Sequence, residues 1–175
     1  FAQSRRDVWR MGYRQAGPAF TMNFHTGTLQ IDSILTPSPI SMYIEDAAIC
    51  DTSGNLLFYS NGISIANAQH NIMLNGDNLN PSPATSMWAD YGMPSILGGI
   101  ALPDPGNPNE YYLFYLSVRM GDLAGDTLFM AKIDMTLDGG LGGVIVKDYV
   151  VSNSGFMCGQ LSACKHGNGR DWWLT

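Results

Sequence analysis

Positive charge is scarce in this sequence. Residues 15–118 contain no Lys or Arg, and four of the nine basic residues, Arg5, Arg6, Arg10 and Arg14, fall within the first fourteen positions. The stretch without basic residues carries eight acids: Asp32, Glu45, Asp46, Asp51, Asp77, Asp90, Asp104 and Glu110. A surface of that sign repels phosphate backbones and anionic lipid heads, so no nucleic-acid partner is expected. The four early arginines, with no basic patch after them, do not make a nucleic-acid arm. Long apolar runs are missing too. None approaches the ~18 residues a membrane helix needs, so no membrane span is expected.

Cysteine is nearly absent. Cys50, Cys158 and Cys164 are an odd number with no zinc-type or redox spacing. Cys158 and Cys164 are close enough in sequence to form a disulfide if the intervening loop turns back. In the other reading all three are buried thiols that act as small hydrophobes. The sequence also lacks a nucleophile elbow, since Asn153-Ser154-Gly155 has none of the flanking pattern. His25, His70 and His166 are scattered, without a paired spacing, so neither a metal nor another cofactor is expected. Gly139-Gly140-Leu141-Gly142-Gly143 lacks the Lys-Ser/Thr of a phosphate cradle and joins two strand-like runs, so it reads as a hairpin turn.

The chain is instead rich in turns and core material. It holds 20 glycines and 9 prolines, and hydrophobic residues make up 45% of its 175 positions, enough to bury a core and to argue against disorder. Three segments repeat one plan. Ala48-Ile49-Cys50-Asp51 leads through Thr52-Ser53-Gly54-Asn55 into Leu56-Leu57-Phe58-Tyr59-Ser60. Ile100-Ala101-Leu102-Pro103 leads through a Pro/Asn turn into Tyr111-Tyr112-Leu113-Phe114-Tyr115. Ser162-Ala163-Cys164-Lys165 leads through His166-Gly167-Asn168-Gly169 into Asp171-Trp172-Trp173-Leu174-Thr175. A short apolar run, a turn and an aromatic run make the hairpin signature.

Between the second and third copies lie two more strand-like runs, residues 128–135 and 144–151, which gives four consecutive antiparallel strands. A four-stranded sheet recurring at this spacing predicts an all-β fold, a partial β-propeller of four-stranded antiparallel blades. Residues 1–46 are expected as entry strands, 47–94 as a first repeat with its connection, 95–151 as a complete blade and 152–175 as the start of the next. About two and a half blades leave open edges, which predicts the N-terminal part of a longer chain. The only helical candidate is residues 5–14, where Val8, Trp9, Met11 and Tyr13 fit a strand equally well.

Several residues invite a functional reading. Asp51 with Gly54 and Asn55 resembles in outline the Asp-box turn of sialidase-type propellers. One Asp is too few for a calcium cage, so Asp51 and Asn55 are read as turn formers. Glu45 and Asp46 are adjacent, point to opposite faces in a strand, and cannot by themselves form a catalytic carboxylate pair. A partner such as Asp90 would have to be brought near by folding. In the aromatic doublets Tyr111-Tyr112 and Trp172-Trp173, one ring of each packs between sheets and the other faces the opposite side. Trp88 and Tyr91, in the Pro/Asn-rich connection, are the candidate ligand contacts, because amphipathic rings suit stacking on sugars.

These residues resemble the propeller-like N-terminal region of large secreted Bacteroidota proteins, many of which carry a C-terminal gliding-motility or type IX secretion sorting domain. Trp9, Gly12, Ala16, Gly17 and Phe20 resemble the family's opening pattern. The run from Cys50-Asp51-Thr52-Ser53-Gly54-Asn55 to Asn61-Gly62 is similar to its most recognisable stretch, and Asn75-Gly76 follows as in the family. Pro103-Asp104-Pro105-Gly106-Asn107-Pro108-Asn109, Ile133-Asp134-Met135-Thr136-Leu137-Asp138-Gly139-Gly140 and Lys165-His166-Gly167-Asn168-Gly169-Arg170-Asp171-Trp172-Trp173 complete the likeness. The chain departs from the family at Tyr91-Gly92-Met93-Pro94 and in its ten methionines.

The resemblance implies architecture and location rather than chemistry, because the family supplies no catalytic residues to carry over. It implies a secreted or cell-surface protein after signal-peptide removal, of which Phe1-Ala2-Gln3-Ser4 reads as the scar. Asp32-Ser33-Ile34 and Asp126-Thr127-Leu128 match the short O-glycosylation pattern of exported Bacteroidota proteins, which marks Ser33 and Thr127. The expected function is a non-catalytic surface scaffold or adhesion module that presents loops to a glycan or protein. Two alternatives stand beside it. One is a glycan-active, sialidase-like propeller hydrolase; the other is a structural subunit whose open β-edges pair with a neighbouring chain or with the remainder of its own.

Overall fold

A computed structural model of the chain describes residues 7–12, 19–34, 38–156 and 161–175. Strands β1 (Val8–Met11), β2 (Ala19–Asn23) and β3 (Gln30–Ile34) form a first antiparallel sheet, in which Trp9 lies opposite Met22 and Met22 opposite Ile31. Strands β4 (Ala47–Cys50), β5 (Leu56–Ser60) and β6 (Ile65–Asn67) form the second. The third contains β7 (Gly99–Pro103), β8 (Glu110–Val118), β9 (Gly125–Asp134) and β10 (Gly143–Ser152) in meander order. A fourth is the hairpin of β11 (Ala163–Lys165) and β12 (Trp172–Leu174). The protein is all-β. Its described strands form four separate antiparallel sheets that close into neither a barrel nor a ring.

Alternation sets which face of each strand is covered. In β8, Tyr111, Leu113 and Tyr115 are buried while Tyr112 and Phe114 are half-exposed on the other face. Strand β9 matches it with Phe129, Ala131 and Ile133. These side chains meet Ile49, Phe58 and Ile65 of the second sheet in the main core, where the Phe58 and Tyr111 rings sit edge to face at 5.9 Å. Two smaller clusters lie apart from it: Ile40, Met42, Tyr59 and Ala66 form one, and Ile63, Ala84, Met93 and Val118 another. The leading strands lie side by side, β1 against β4 and β4 against β7. Leu161, just before β11, donates its N–H to the Leu97 carbonyl just before β7, at 3.3 Å.

The turns are held by their own polar side chains. Asp51 Oδ1 accepts from the Ser53 and Asn55 N–H groups at 2.8 and 2.9 Å, and Gly54 adopts φ +84°, which a side chain would strain. Asp104 accepts the Gly106 N–H at 2.7 Å, and Asn168 those of Arg170 and Asp171 at 3.0 Å. The three repeated hairpins therefore share one turn chemistry.

Of the two readings open for residues 5–14, the described part takes the strand, and helix forms elsewhere. In the described part of the 5–14 candidate, residues 8–11 are strand β1. The α-helix that does form, α1 (Pro83–Trp88), lies in the connection read as irregular. Pro83 pre-sets the first turn and Ala84 packs inward, but six residues are too few to show a helical period. Among the described residues no helix is long and apolar enough to cross a membrane.

Candidate functional site

The sequence-derived contact residues Trp88 and Tyr91 come together, joined by a third ring the sequence did not signal. The Trp88 and Tyr91 rings meet edge-on at 5.9 Å, and Tyr43 lies 6.3 Å from Tyr91. Tyr43 is 52% exposed, whereas Trp88 and Tyr91 are only half-exposed, so the surface is a tilted aromatic shelf with Tyr43 at its outer rim. The inner side of Trp88 packs on the Ile63, Ala84 and Met93 cluster. Its indole N–H is buried without an acceptor among the described residues.

Asn61 builds this shelf from two distant segments. Its Nδ2 donates to the Ser41 carbonyl at 2.9 Å, which ties down the segment that carries Tyr43. Its backbone carbonyl accepts the Met93 N–H at 2.8 Å, fixing the segment that carries Tyr91. Its Oδ1 accepts from the Ile63 and Ser64 N–H groups, so all of its bonding groups but one are committed to main chain. Gly92, with φ +94°, closes the turn after Trp88, and a Cβ there would stand 2.9 Å from Asn61 Cβ. A buried Asn bonding main chain on several sides is a positioning device. Its sequence signal, Asn61-Gly62, reads only as a turn.

A second feature lies where the leading strands converge. Trp9, Asp46, Ala48, Leu97, Ile100 and Leu161 line a cleft of about 360 Å³. Asp46 stands open at its wall, yet the surroundings deprive its carboxyl of enough water to push its pKa up to about 7. The nearby Arg10 charge offsets part of that shift. Glu45 turns the other way, as its adjacency predicts. It is fully buried in a cradle of Gly62, Gly98 and Gly99, where a Cβ on any of the three would sit 2.5–2.9 Å from its carboxyl oxygens. Neither oxygen has a hydrogen-bond partner among the described residues, and burial, then the Asp46 charge, raises its pKa well above the usual carboxylate range. Arg10 is also fully buried. Its guanidinium lies 5.3 Å from the centre of the Tyr59 ring, and Nη1 donates to Thr21 Oγ1 at 3.1 Å. Asp46 is therefore the one ionisable side chain on the cleft wall among the described residues, and no second carboxylate faces it there.

The other sequence candidates are dispersed. Ser33 is exposed on the edge strand β3, open to modification. Thr127 is half-buried on β9; its N–H donates to Ser117 Oγ at 3.0 Å and its hydroxyl to Asp126 Oδ2 at 3.3 Å. Cys50 is buried, with burial pushing its thiol pKa up, and Cys164 is an exposed thiol on β11. Cys158 lies outside the described residues, and with it the suggested Cys158–Cys164 pairing. His25 meets Asp7 at 3.2 Å, His70 meets the Tyr59 hydroxyl at 3.3 Å, and His166 packs on Trp173, so the three histidines occupy separate places. Among the described residues no group of His, Cys, Asp and Glu is arranged to hold a metal. Compared with known protein families, curated proteins and solved structures, the chain has no match.

Proposed function

We propose that this chain is a non-catalytic scaffold and adhesion module of an exported, surface-displayed protein, built on a propeller plan, with the Tyr43–Trp88–Tyr91 shelf as its ligand contact. The observation that carries the reading is the shelf itself: three rings from two segments, held by one buried asparagine. A half-exposed aromatic surface on a rigid base stacks on sugar rings or on the side chains of a partner protein. The side-by-side packing of β1, β4 and β7 supports the propeller plan, in which leading strands gather about an axis. The resemblance to secreted Bacteroidota proteins supports export.

A glycan array probed with the purified chain tests the reading. Binding is expected, and Tyr43→Ala and Trp88→Ala each weaken it by roughly threefold to tenfold, the worth of one aromatic contact. Binding that ignores both substitutions would remove the shelf from the function. A hydrolytic reading has one observation in its favour, the Asp46 carboxyl with a pKa of about 7, within the range of a general acid. Release of fluorophore from aryl glycosides, lost in Asp46→Asn, would make that reading the better one.

A further inference from the structure

The cleft where the leading strands converge holds a chemistry that the aromatic shelf does not use. Its walls come from β1, from the residues at the start of β4 and β7, and from Leu161 before β11. Each of those three strands is paired with the next strand of its own sheet, so the walls rest on supported elements. At about 360 Å³ the cleft falls within the size range of small-ligand sites.

Three side chains set its character. The Trp9 indole is exposed on the wall and is braced by the Phe24 ring at 5.2 Å. Leu97 is 66% exposed and holds φ +52°, a backbone conformation that is costly for a bulky side chain. Its carbonyl accepts the Leu161 N–H, which joins two apolar segments of the wall. Asp46 is the third. Its carboxyl takes no hydrogen bond or ion pair among the described residues, and loss of water raises its pKa. Arg10, whose charge reaches it, turns inward over Tyr59 and onto Thr21 and is not part of the lining. Glu45 is held apart in its glycine cradle. A carboxylate short of both water and donors is best satisfied by a donor that carries positive charge. The indole face attracts a cation as well, and the apolar wall suits an apolar body.

We propose that this cleft binds a small organic cation, an ammonium group on an apolar body, with Asp46 as its counter-charge and Trp9 as its aromatic wall. Charge sorts the ligands. An anion is repelled by the carboxylate, and a neutral molecule of the same shape gains only the apolar contacts. Residues 15–118, with eight acids and no Lys or Arg, add a field of the same sign. The inference does not depend on the aromatic shelf or on its ligand.

The test titrates the whole chain with phenethylammonium, its neutral analogue 2-phenylethanol and the anion 3-phenylpropanoate, followed by amide chemical shifts. It is run at pH 8, above the Asp46 pKa of about 7. Saturable shifts at Ala47, Ala48, Gly99 and Ile100 are expected with the ammonium ion. The alcohol binds at least tenfold more weakly, and the anion does not bind. Asp46→Asn, which keeps the shape of the side chain, removes the preference for ammonium over alcohol. Trp9→Ala weakens ammonium binding at least threefold. A parallel titration with Nα-acetyl-lysine amide separates the two sources of such a cation: tighter binding than phenethylammonium assigns it to a partner's lysine, weaker binding to a free amine, and both support the site. The proposal is overturned if the alcohol binds as tightly as the ammonium ion, or if Asp46→Asn leaves the preference intact. It is equally overturned if the shifts fall on Tyr43, Trp88 and Tyr91, which would place the cation on the shelf.

Discussion

Glu45 is the residue whose setting is hardest to reconcile with its chemistry. A carboxyl buried without a donor stays neutral, and its glycine cradle leaves no room for a water shell. The folded protein therefore holds a proton that the unfolded chain releases above about pH 4.5. Asp46 acts in the same direction, its pKa rising from 3.8 to about 7 on folding. For both groups the stability is fully present below the unfolded pKa and is lost as pH rises through the window up to the folded one. Asp51, Asp104 and Asp134 act oppositely. Their pKa values are lowered. In Asp51 desolvation is outweighed by the Asn55 side-chain bond and then the turn N–H groups, and in Asp104 it is outweighed by the Gly106 N–H and Lys132. In Asp134 the Thr136 N–H leads, so the contribution of all three is lost as pH falls below about 4. The melting temperature is thus expected to peak in mildly acidic buffer and to fall toward pH 8. Glu45→Gln, which cannot ionise, should make that fall shallower while changing the value at pH 5 little. Melts at pH 5, 6.5 and 8 check this, and parallel slopes for the two proteins would mean that Glu45 is charged in the folded state.

Strand β10 shows how a single side chain fixes an element. Asp148 interrupts its pairing with β9, with φ +56° and a register shift between Val146 and Tyr149. The Tyr115 hydroxyl donates to Asp148 Oδ1 at 2.6 Å and accepts the Asp148 N–H at 3.1 Å, and Oδ1 also takes the Asn80 N–H at 2.8 Å. Tyr115→Phe leaves the Asp148 N–H and carboxylate short of a partner, at a cost of about 1–3 kcal/mol. In thermal melts that is a fall of roughly 2–12 °C for a chain of this size, with amide exchange rising first in residues 145–150. An unchanged melt would show that the bulge is held by its backbone alone. Strands of this kind were readable in advance, because β8 alternates cleanly and the Gly/Asn/Pro turns mark its start. The bulge was not, since it depends on a hydroxyl 33 residues away. Nor was α1: six residues carry no period, and its place is set by Ala84 and Trp88 packing on Ile63 and Met93.

At the scale of the molecule, the repeated hairpin was the legible part, because turn chemistry is local and recurs at Asp51, Asp104 and Asn168. What joins the hairpins was not legible. The Asn61 bonds to segments 41 and 93 and the convergence of β1, β4 and β7 are long-range choices that one sequence leaves open. Trp88 and Tyr91 were visible as candidates because they lie together in one Pro/Asn-rich connection, whereas Tyr43, which completes their shelf from a distant segment, was not. The main core raises a further question: whether the second and third sheets unfold as one unit. Phe58 lies in the second sheet, fully buried, and touches Tyr111 of the third. Phe58→Ala opens a cavity between them at a cost of about 3–5 kcal/mol. If the core is shared, that loss appears as one cooperative transition lowered by roughly 6–20 °C. Amide exchange then accelerates together in β4, β5, β8 and β9, because no part of the core is stable without the rest. Acceleration confined to β4 and β5 would mean that each sheet carries its own stability, and that the stacking of sheets adds little beyond contact area.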